Sequence, residues 1–327
     1  MSSFKVEVVK LGSIDKHPNA DSLGLTKIYN FPVITRLGEF KEGDLAIYIP
    51  VDSVVPNKTD PRFSFLEKSR IKAKRLRGIF SCGLLIPAAP EMTAGQDVTE
   101  ALGIVKYEEP EKATPFLGGD CISDPGIPKY TDIENLRRYK GTFTEGEEVI
   151  ATEKVHGTNF RAGWFNGEFY VGSHKTFKKE DPNNLYWKAA NSLNLKELLR
   201  PHPGLILFGE IYGWVQDLRY GMQKDQFRVA FFDALDLNSR NYANYAVLEL
   251  VLKGLGLPTV PHLYHGPYNP AELFKIAEEN SLLGPNIREG LVIRPAVERF
   301  SFELNGRCIA KYLSENYLTR KDGTEFH

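Results

Sequence analysis

Near the amino terminus, apolar and polar positions alternate in short runs, Phe4 to Leu11, Leu25 to Tyr29 and Asp44 to Ile49. Turn-forming clusters such as His17-Pro18-Asn19-Ala20-Asp21 and Glu42-Gly43-Asp44 separate them. Short period-two runs broken by turn residues predict a small antiparallel barrel, closed by a last apolar strand from Gly83 to Pro87. From about Glu91 to Thr144 the pattern weakens, and Glu108-Glu109-Pro110-Glu111-Lys112 and Gly118-Gly119-Asp120 read as linker. Pro128-Lys129-Tyr130 leads into a helix-like stretch, Thr131 to Tyr139, with Asp132 and Glu134 near its start and Arg137 and Arg138 near its end, as the helix dipole favours. The expected organisation is a domain over 1–105, a linker and short helix over 106–143, and a second domain over 144–327.

The second domain opens on a strand, Glu148 to Glu153, that runs into Lys154-Val155-His156-Gly157-Thr158-Asn159, where the chain is expected to turn sharply through the glycine. Two aromatic-rich runs, Phe160 to Phe165 and Glu168 to Gly172, flank Asn166-Gly167, the strongest short hairpin signal. Leu185 to Leu199 has helical apolar spacing and ends against Pro201. Buried strands are predicted at Leu205 to Glu210 and Phe227 to Asp236, helices from about Tyr242 to Leu255 and after Asn269-Pro270, and strands at Gly290 to Arg294 and Arg307 to Leu313. These elements predict an α+β chain of mixed sheets with flanking helices. No internal repeat, low-complexity tract or heptad seam is present.

With 327 residues, the chain exceeds one ordinary hydrophobic core. Its formal charge of −1 argues against wholesale coating of nucleic acid, so the distribution of charge carries more information than the sum. The cations are concentrated in Lys68-Ser-Arg70-Ile-Lys72-Ala-Lys74-Arg75-Leu-Arg77. A run that dense repels itself unless anions lie opposite, which makes Lys72, Lys74, Arg75 and Arg77 candidates for a phosphate backbone, a solvated loop being the plainer reading. An OB-type barrel, the small β fold most often used to hold oligonucleotides, favours the phosphate reading. Cys82, Cys121 and Cys308 have no paired spacing, which excludes a zinc ribbon and fits a reducing interior. With no apolar leader and no run of membrane-spanning length, a soluble cytoplasmic protein without a membrane partner is expected.

No Gly-x-x-x-x-Gly-Lys-Ser/Thr loop occurs, so a nucleoside triphosphate would not be held in a P-loop. Instead, polar groups end several apolar strands: Lys154 and His156, Glu210 in Phe208-Gly209-Glu210, Asp233 in Phe231-Phe232-Asp233, Glu289 before Gly290-Leu291-Val292-Ile293, and Lys311. Lysine is a poor nucleophile while protonated, so a covalent role for Lys154 requires neighbours that favour the neutral amine.

In this order, the five motifs resemble those numbered I, III, IIIa, IV and V of the covalent nucleotidyltransferases, the superfamily of polynucleotide ligases and capping enzymes. The His-Gly form of the lysine motif is more similar to ATP-dependent RNA ligases than to DNA ligases or capping enzymes, which typically carry Lys-x-Asp-Gly. A barrel placed before the catalytic domain resembles the RNA ligase subgroup with an N-terminal OB domain. The resemblance covers nearly the whole chain. It implies an OB-type β-barrel followed by a nucleotidyltransferase (ATP-grasp-like ligase) domain of mixed antiparallel sheets.

The resemblance also implies ATP as nucleotide and Mg2+ or Mn2+ as metal. Lys154 would attack the α-phosphorus to give lysyl-AMP, AMP would pass to an RNA 5′-phosphate, and a 3′-OH would then displace it. Lys311 would neutralise the α-phosphate, and Glu153, His156, Gly157, Asn159, Glu210, Phe232, Glu289 and Arg307 would line the nucleotide site. Glu210 and Glu289 would hold the metal through its waters, with His156 a further water-mediated candidate. Phe232 would stack on adenine, Phe231 being the alternative and burial in the core the plainer fate of either. A second lysine common in motif V is replaced by Ile309, leaving triphosphate contacts to Arg307. Lys175, after the hairpin, would meet ribose or RNA phosphate. RNA with 3′-OH and 5′-phosphate ends, in a nicked duplex or free, is the expected partner of a monomeric enzyme. Two other readings stay open: a GTP-using capping-type transferase, and an RNA-binding protein with a degenerate ligase domain. His17 to Leu23 also resembles a motif of OB-type tRNA-binding domains.

Overall fold

A computed structural model describes residues 4–107 and 119–321, which divide into two compact units. The linker reading at 108–112 and Gly118 lies outside the described residues.

The first unit comprises mainly residues 4–107 of those described. Its strands are β1 (Glu7–Lys10), β2 (Leu23–Ile28), β3 (Phe31–Arg36), β4 (Leu45–Ile49), β5 (Lys74–Leu76), β6 (Ile79–Ser81) and β7 (Leu84–Pro87). Antiparallel β1-β4-β7 forms one sheet, and β2 pairs with β3 in another. The central strand β4 is buried on both faces: Ile47 and Ile49 enter one apolar cluster with Val6, Val8 and Phe63, while Ala46 and Tyr48 enter a second with Val33 and Phe80. That two-sided burial explains its continuous apolar run. The β5–β6 hairpin turns through Arg77-Gly78, both at positive φ (49° and 86°), the geometry of a tight hairpin turn.

No helix forms over 131–139. The side chain of Asn135 accepts from the Arg137 N–H at 3.0 Å, and Arg138 N–H bonds the Asn135 carbonyl at 2.9 Å, a local turn that competes with helical pairing.

Two large sheets dominate the described residues of the second unit. Strands β8 (Glu148–Lys154), β9 (Gly157–Phe165) and β10 (Glu168–Gly172) come first, the last two joined by Asn166-Gly167 at φ 50° and 80°. Helix α1 (Leu185–Ser192) is capped by Asn184 and stops before Asn194, whose φ of 50° breaks the single helix expected to Leu199. Strands β11 (Leu205–Gly213) and β12 (Phe227–Asp236), helix α2 (Tyr245–Gly254), strand β13 (His262–Pro267), helix α3 (Pro270–Ala277, capped by Asn269), and strands β14 (Gly290–Pro295) and β15 (Ala310–Leu313) follow. The strand expected from Arg307 is broken at Cys308 and Ile309, where Ile309 N–H turns back to the Arg307 carbonyl.

One sheet runs β10-β9-β11-β12, the other β15-β14-β8-β13. Residues of α1 and α2 cover the first sheet with Phe160, Leu207, Ile211, Val229 and Phe231 in the largest apolar cluster. Its other face meets the second sheet through smaller clusters holding Phe208, Ile309 and Val292, and Val155, Tyr212 and Ala230. No helix among the described residues is long and apolar enough to cross a membrane.

Candidate active site

Lys154 ends β8. It lies opposite Gly290 on β14, and two residues back Thr152 lies opposite Val292, which in turn faces Lys311 on β15. Directly paired residues share a face and alternate residues return to it, so Lys154 and Lys311 project from the same side of the sheet. The Lys154 side chain keeps 26% of its surface exposed, and its Nζ is 2.7 Å from Glu289 Oε1.

Glycine is required at two positions by proximity rather than by turn geometry. A Cβ at Gly157 would overlap the Ile211 carbonyl of β11, and one at Gly290 would overlap the Tyr312 carbonyl of β15. Gly157 is therefore the first residue of β9 and not the pivot of a glycine turn.

The acidic groups converge from different strands. Glu210 sits in mid-β11, paired with Asn159 of β9. Burial raises its carboxyl from the ordinary 4.5 to about 8; the Lys154 ammonium opposes that rise and the neighbouring Glu289 adds to it. Two polar atoms beside this cluster, Glu289 Oε2 and Asn159 Oδ1, are buried without a hydrogen-bond partner in the protein. Hard carboxylate oxygens, one unpaired and one beside a like charge, suit a divalent cation. Among the described residues, no group of three or more His, Cys, Asp or Glu side chains could hold a metal directly, so Glu210 and Glu289 fit a cation that keeps waters or takes phosphate oxygens.

Phe231 and Phe232 have different surroundings. Phe231 is 0% exposed, edge-on to Phe160 with centroids 6.1 Å apart. A β-bulge where β12 passes Phe208 and Gly209 leaves Phe232 outside the paired register, partly exposed and edge-on to Tyr130 at 5.0 Å. Its carbonyl accepts from Arg294 Nη2 at 2.5 Å. Beneath it, buried Asp233 accepts from Tyr130 Oη at 2.7 Å and from Arg307 Nη1 at 2.7 Å, with Arg294 Nη1 at 3.5 Å.

Two residues expected at the nucleotide site are engaged by the protein itself. Arg307 also makes a two-pronged pair with Glu298, at 2.7 and 2.6 Å, so its guanidinium is committed to protein carboxylates rather than held open for a triphosphate. The Glu153 side chain points away from Lys154; its carboxylate accepts from Ser281 Oγ and, at 3.0 Å, from Leu282 N–H, with Arg288 Nε at 3.7 Å. It anchors the 281–283 loop and offers no side-chain contact to a nucleotide.

His156 is enclosed. Its Nε2 is 2.7 Å from Asp217 Oδ1, its Nδ1 is 3.0 Å from Tyr317 Oη, and its backbone N–H donates to Tyr220 Oη at 2.7 Å. Both ring nitrogens thus meet protein partners, and Nδ1 also lies 3.9 Å from Glu289 Oε2. Gln216 Nε2 donates to the Gly157 carbonyl. None of Gln216, Asp217, Tyr220, Tyr317 and Arg294 was marked by the sequence pattern, because each acts from a remote segment.

In the first unit, Lys72, Lys74, Arg75 and Arg77 are all exposed on or beside the β5–β6 hairpin. The hairpin is gripped from the 17–21 loop: His17, 1% exposed, bonds the Leu76 carbonyl through Nε2 at 3.2 Å, and Asn19 Nδ2 donates to the Arg77 carbonyl at 3.0 Å. Asn19 N–H also donates to His17 Nδ1 at 3.0 Å, which leaves Nε2 as the ring's donor. In the second unit, Lys175 is exposed in the tight Ser173–Thr176 turn.

Comparison with known proteins places these features in a family. An RNA ligase family model matches residues 147–313, and a model of an OB-fold domain matches residues 5–88. The fold is similar to that of an RNA ligase of Naegleria gruberi. A lysine-to-alanine variant of that protein, solved with ATP and Mn, superposes with a TM-score of 0.81 at 25% identity, covering 96% of this chain and 98% of that one. An aspartate-to-alanine variant in its apo form gives a TM-score of 0.81 at 26% identity, over 97% and 98%. The same ligase with pyrophosphate gives 0.80 at 25% identity, over 96% and 98%. The Early 65 kDa protein of Autographa californica nuclear polyhedrosis virus is 26% identical over 147 residues, 41% of this chain, which spans only 26% of that protein's length.

Proposed function

The chain belongs to the RNA ligase family, and from that premise we propose that it joins RNA 3′-OH and 5′-phosphate ends at the expense of ATP, through AMP carried on Lys154. The observation that carries the reading is the partly exposed Lys154 amine, 2.7 Å from Glu289 and on the same sheet face as Lys311.

In the first step Lys154 Nζ attacks the α-phosphorus of ATP; the N–P bond forms, the bond to the β-phosphate oxygen breaks, and pyrophosphate leaves with the electron pair. Glu289, 2.7 Å away, orients the amine and accepts the proton it sheds. Lys311 offsets the charge that grows on the phosphate as the leaving group departs. Phe232 presents a ring face to adenine, giving area and orientation without reading the base edge. Glu210 and Glu289 are the groups that would hold a divalent cation. Bound there, it supplies charge neutralisation to the phosphates and disfavours the ammonium form of lysine. AMP then passes to the RNA 5′-phosphate, and the 3′-OH displaces it. The exposed cations of the β5–β6 hairpin and Lys175 meet the RNA backbone. A nick or paired ends, a cytoplasmic setting and a monomer complete the reading; free Cys82, Cys121 and Cys308 suit a reducing compartment.

The test is incubation with α-labelled ATP and Mg2+ or Mn2+ followed by denaturing electrophoresis. Acid-labile label on the wild-type chain and none on Lys154→Ala is expected; no label, or equal label on both, sinks the proposal.

A further inference from the structure

The segment from Gln216 to Tyr220 makes three polar contacts to the turn after Lys154. The His156 N–H donates to Tyr220 Oη, the Gly157 carbonyl accepts from Gln216 Nε2, and the His156 ring meets Asp217 Oδ1. Tyr220 does this from the left-handed region, at φ 52°. A bulky residue there costs about 1–3 kcal/mol, and such strain persists only where the surroundings impose it. The ring itself is almost sealed, its side chain 3% exposed, with Tyr317 Oη 3.0 Å from Nδ1. A carboxylate can only accept, so the proton facing Asp217 belongs to Nε2.

We propose that Asp217 is a positioning residue for the nucleophile: by accepting from His156 Nε2–H it fixes the imidazole as a rigid post, and the post sets the direction in which Lys154 leaves β8. Lys154 stands two residues before His156, and Gly157 begins the strand packed against Glu210, so a swing of the imidazole carries the Lys154 backbone with it. Asp217, 22% exposed on its side chain, meets the turn after Lys154 through the His156 ring, 2.7 Å away. Tyr317 closes the opposite ring nitrogen, so the imidazole has two fixed ends. A displacement of about 1 Å at a nucleophile can cost on the order of 100-fold in rate.

This role rests on the lysyl-AMP reading, but part of its test does not. In nucleotide-free protein with 15N-labelled histidine, the His156 Nε2–H should give a slowly exchanging resonance in the wild type and in Asp217→Asn, whose side-chain oxygen can still accept. Asp217→Ala should lose it. In lysyl-AMP formation, Asp217→Ala should lower the maximal rate on the order of 100-fold with the ATP concentration for half-maximal rate changed no more than about threefold. Asp217→Asn should recover most of that rate. A protected Nε2–H in Asp217→Ala, equal rates for the alanine and asparagine variants, or an effect confined to ATP affinity overturns the assignment. Absence of label on the wild type would instead overturn the ligase reading while leaving the resonance as the measure of this one.

Discussion

Replacing Glu210 by glutamine keeps the shape of a half-buried side chain and removes its titration. In the folded chain this carboxyl holds its proton to about pH 8, because burial disfavours the charged form more strongly than Lys154 favours it. In the unfolded chain the proton is lost near the ordinary 4.5. Between those values the unfolded state binds fewer protons, so stability is fully present below about 4.5 and falls as pH rises toward 8. The slope is at most about 1.4 kcal/mol per pH unit, which makes roughly 3 kcal/mol between about pH 5.5 and pH 8. Urea unfolding in EDTA without nucleotide, at those two pH values, measures it. The wild type should lose up to roughly 3 kcal/mol more than Glu210→Gln over the interval, every other titrating group being common to both. Glu289→Gln, by removing a like charge, should narrow the window from its upper end. Parallel pH profiles for wild type and Glu210→Gln would refute the reasoning, since they would mean that the carboxyl is already ionised in the folded cleft.

Phe232→Leu should raise the ATP concentration for half-maximal lysyl-AMP formation by about 3- to 10-fold, the range of roughly 0.5–1.5 kcal/mol for an aromatic stacking contact, with an unchanged unfolding midpoint. Phe231→Ala should instead cost about 3–5 kcal/mol of stability, read by urea unfolding, because it opens a cavity against Phe160. Gly157→Ala should abolish label transfer, since its methyl would meet the Ile211 carbonyl; labelling at the wild-type rate would show that the two strands can part. Joint replacement of Lys72, Lys74, Arg75 and Arg77 by alanine should leave lysyl-AMP formation intact and weaken RNA binding. In filter binding with single-stranded RNA, it should flatten the log–log salt dependence by about 0.7 for each phosphate that these cations neutralise in the wild type. His17→Ala should weaken RNA binding in the same direction with every cation still present.

Local rules carried much of the architecture. Asn166-Gly167 turned where a two-residue hairpin requires positive φ at both positions, and Asn269 before Pro270 capped a helix. The largely apolar stretch of β12 from Val229 to Leu235, interrupted by Asp233, was legible because most of it is buried. Local rules failed where a side chain competed with the backbone, as Asn135 does in the stretch read as a helix. They failed again where function depends on a remote partner. Nothing near Arg307 in sequence announces that Asp233 and Glu298 will hold it, nor that Glu153 faces Ser281 while its neighbour Lys154 faces Glu289. Strand alternation predicts that adjacent residues diverge; which of them enters the cleft depends on which face meets the second sheet.

His17 and Asn19 grip the β5–β6 turn by main-chain carbonyls, those of Leu76 and Arg77. The support is therefore indifferent to which side chains the strands of the hairpin display, provided the Arg77-Gly78 turn keeps its positive φ values. Such a mount separates inheritance of the scaffold from inheritance of the specificity. Drift at Lys72, Lys74 and Arg75 could exchange one polyanion for another without refolding the domain, and a designer could graft a different charge pattern onto the hairpin while leaving His17 and Asn19 untouched.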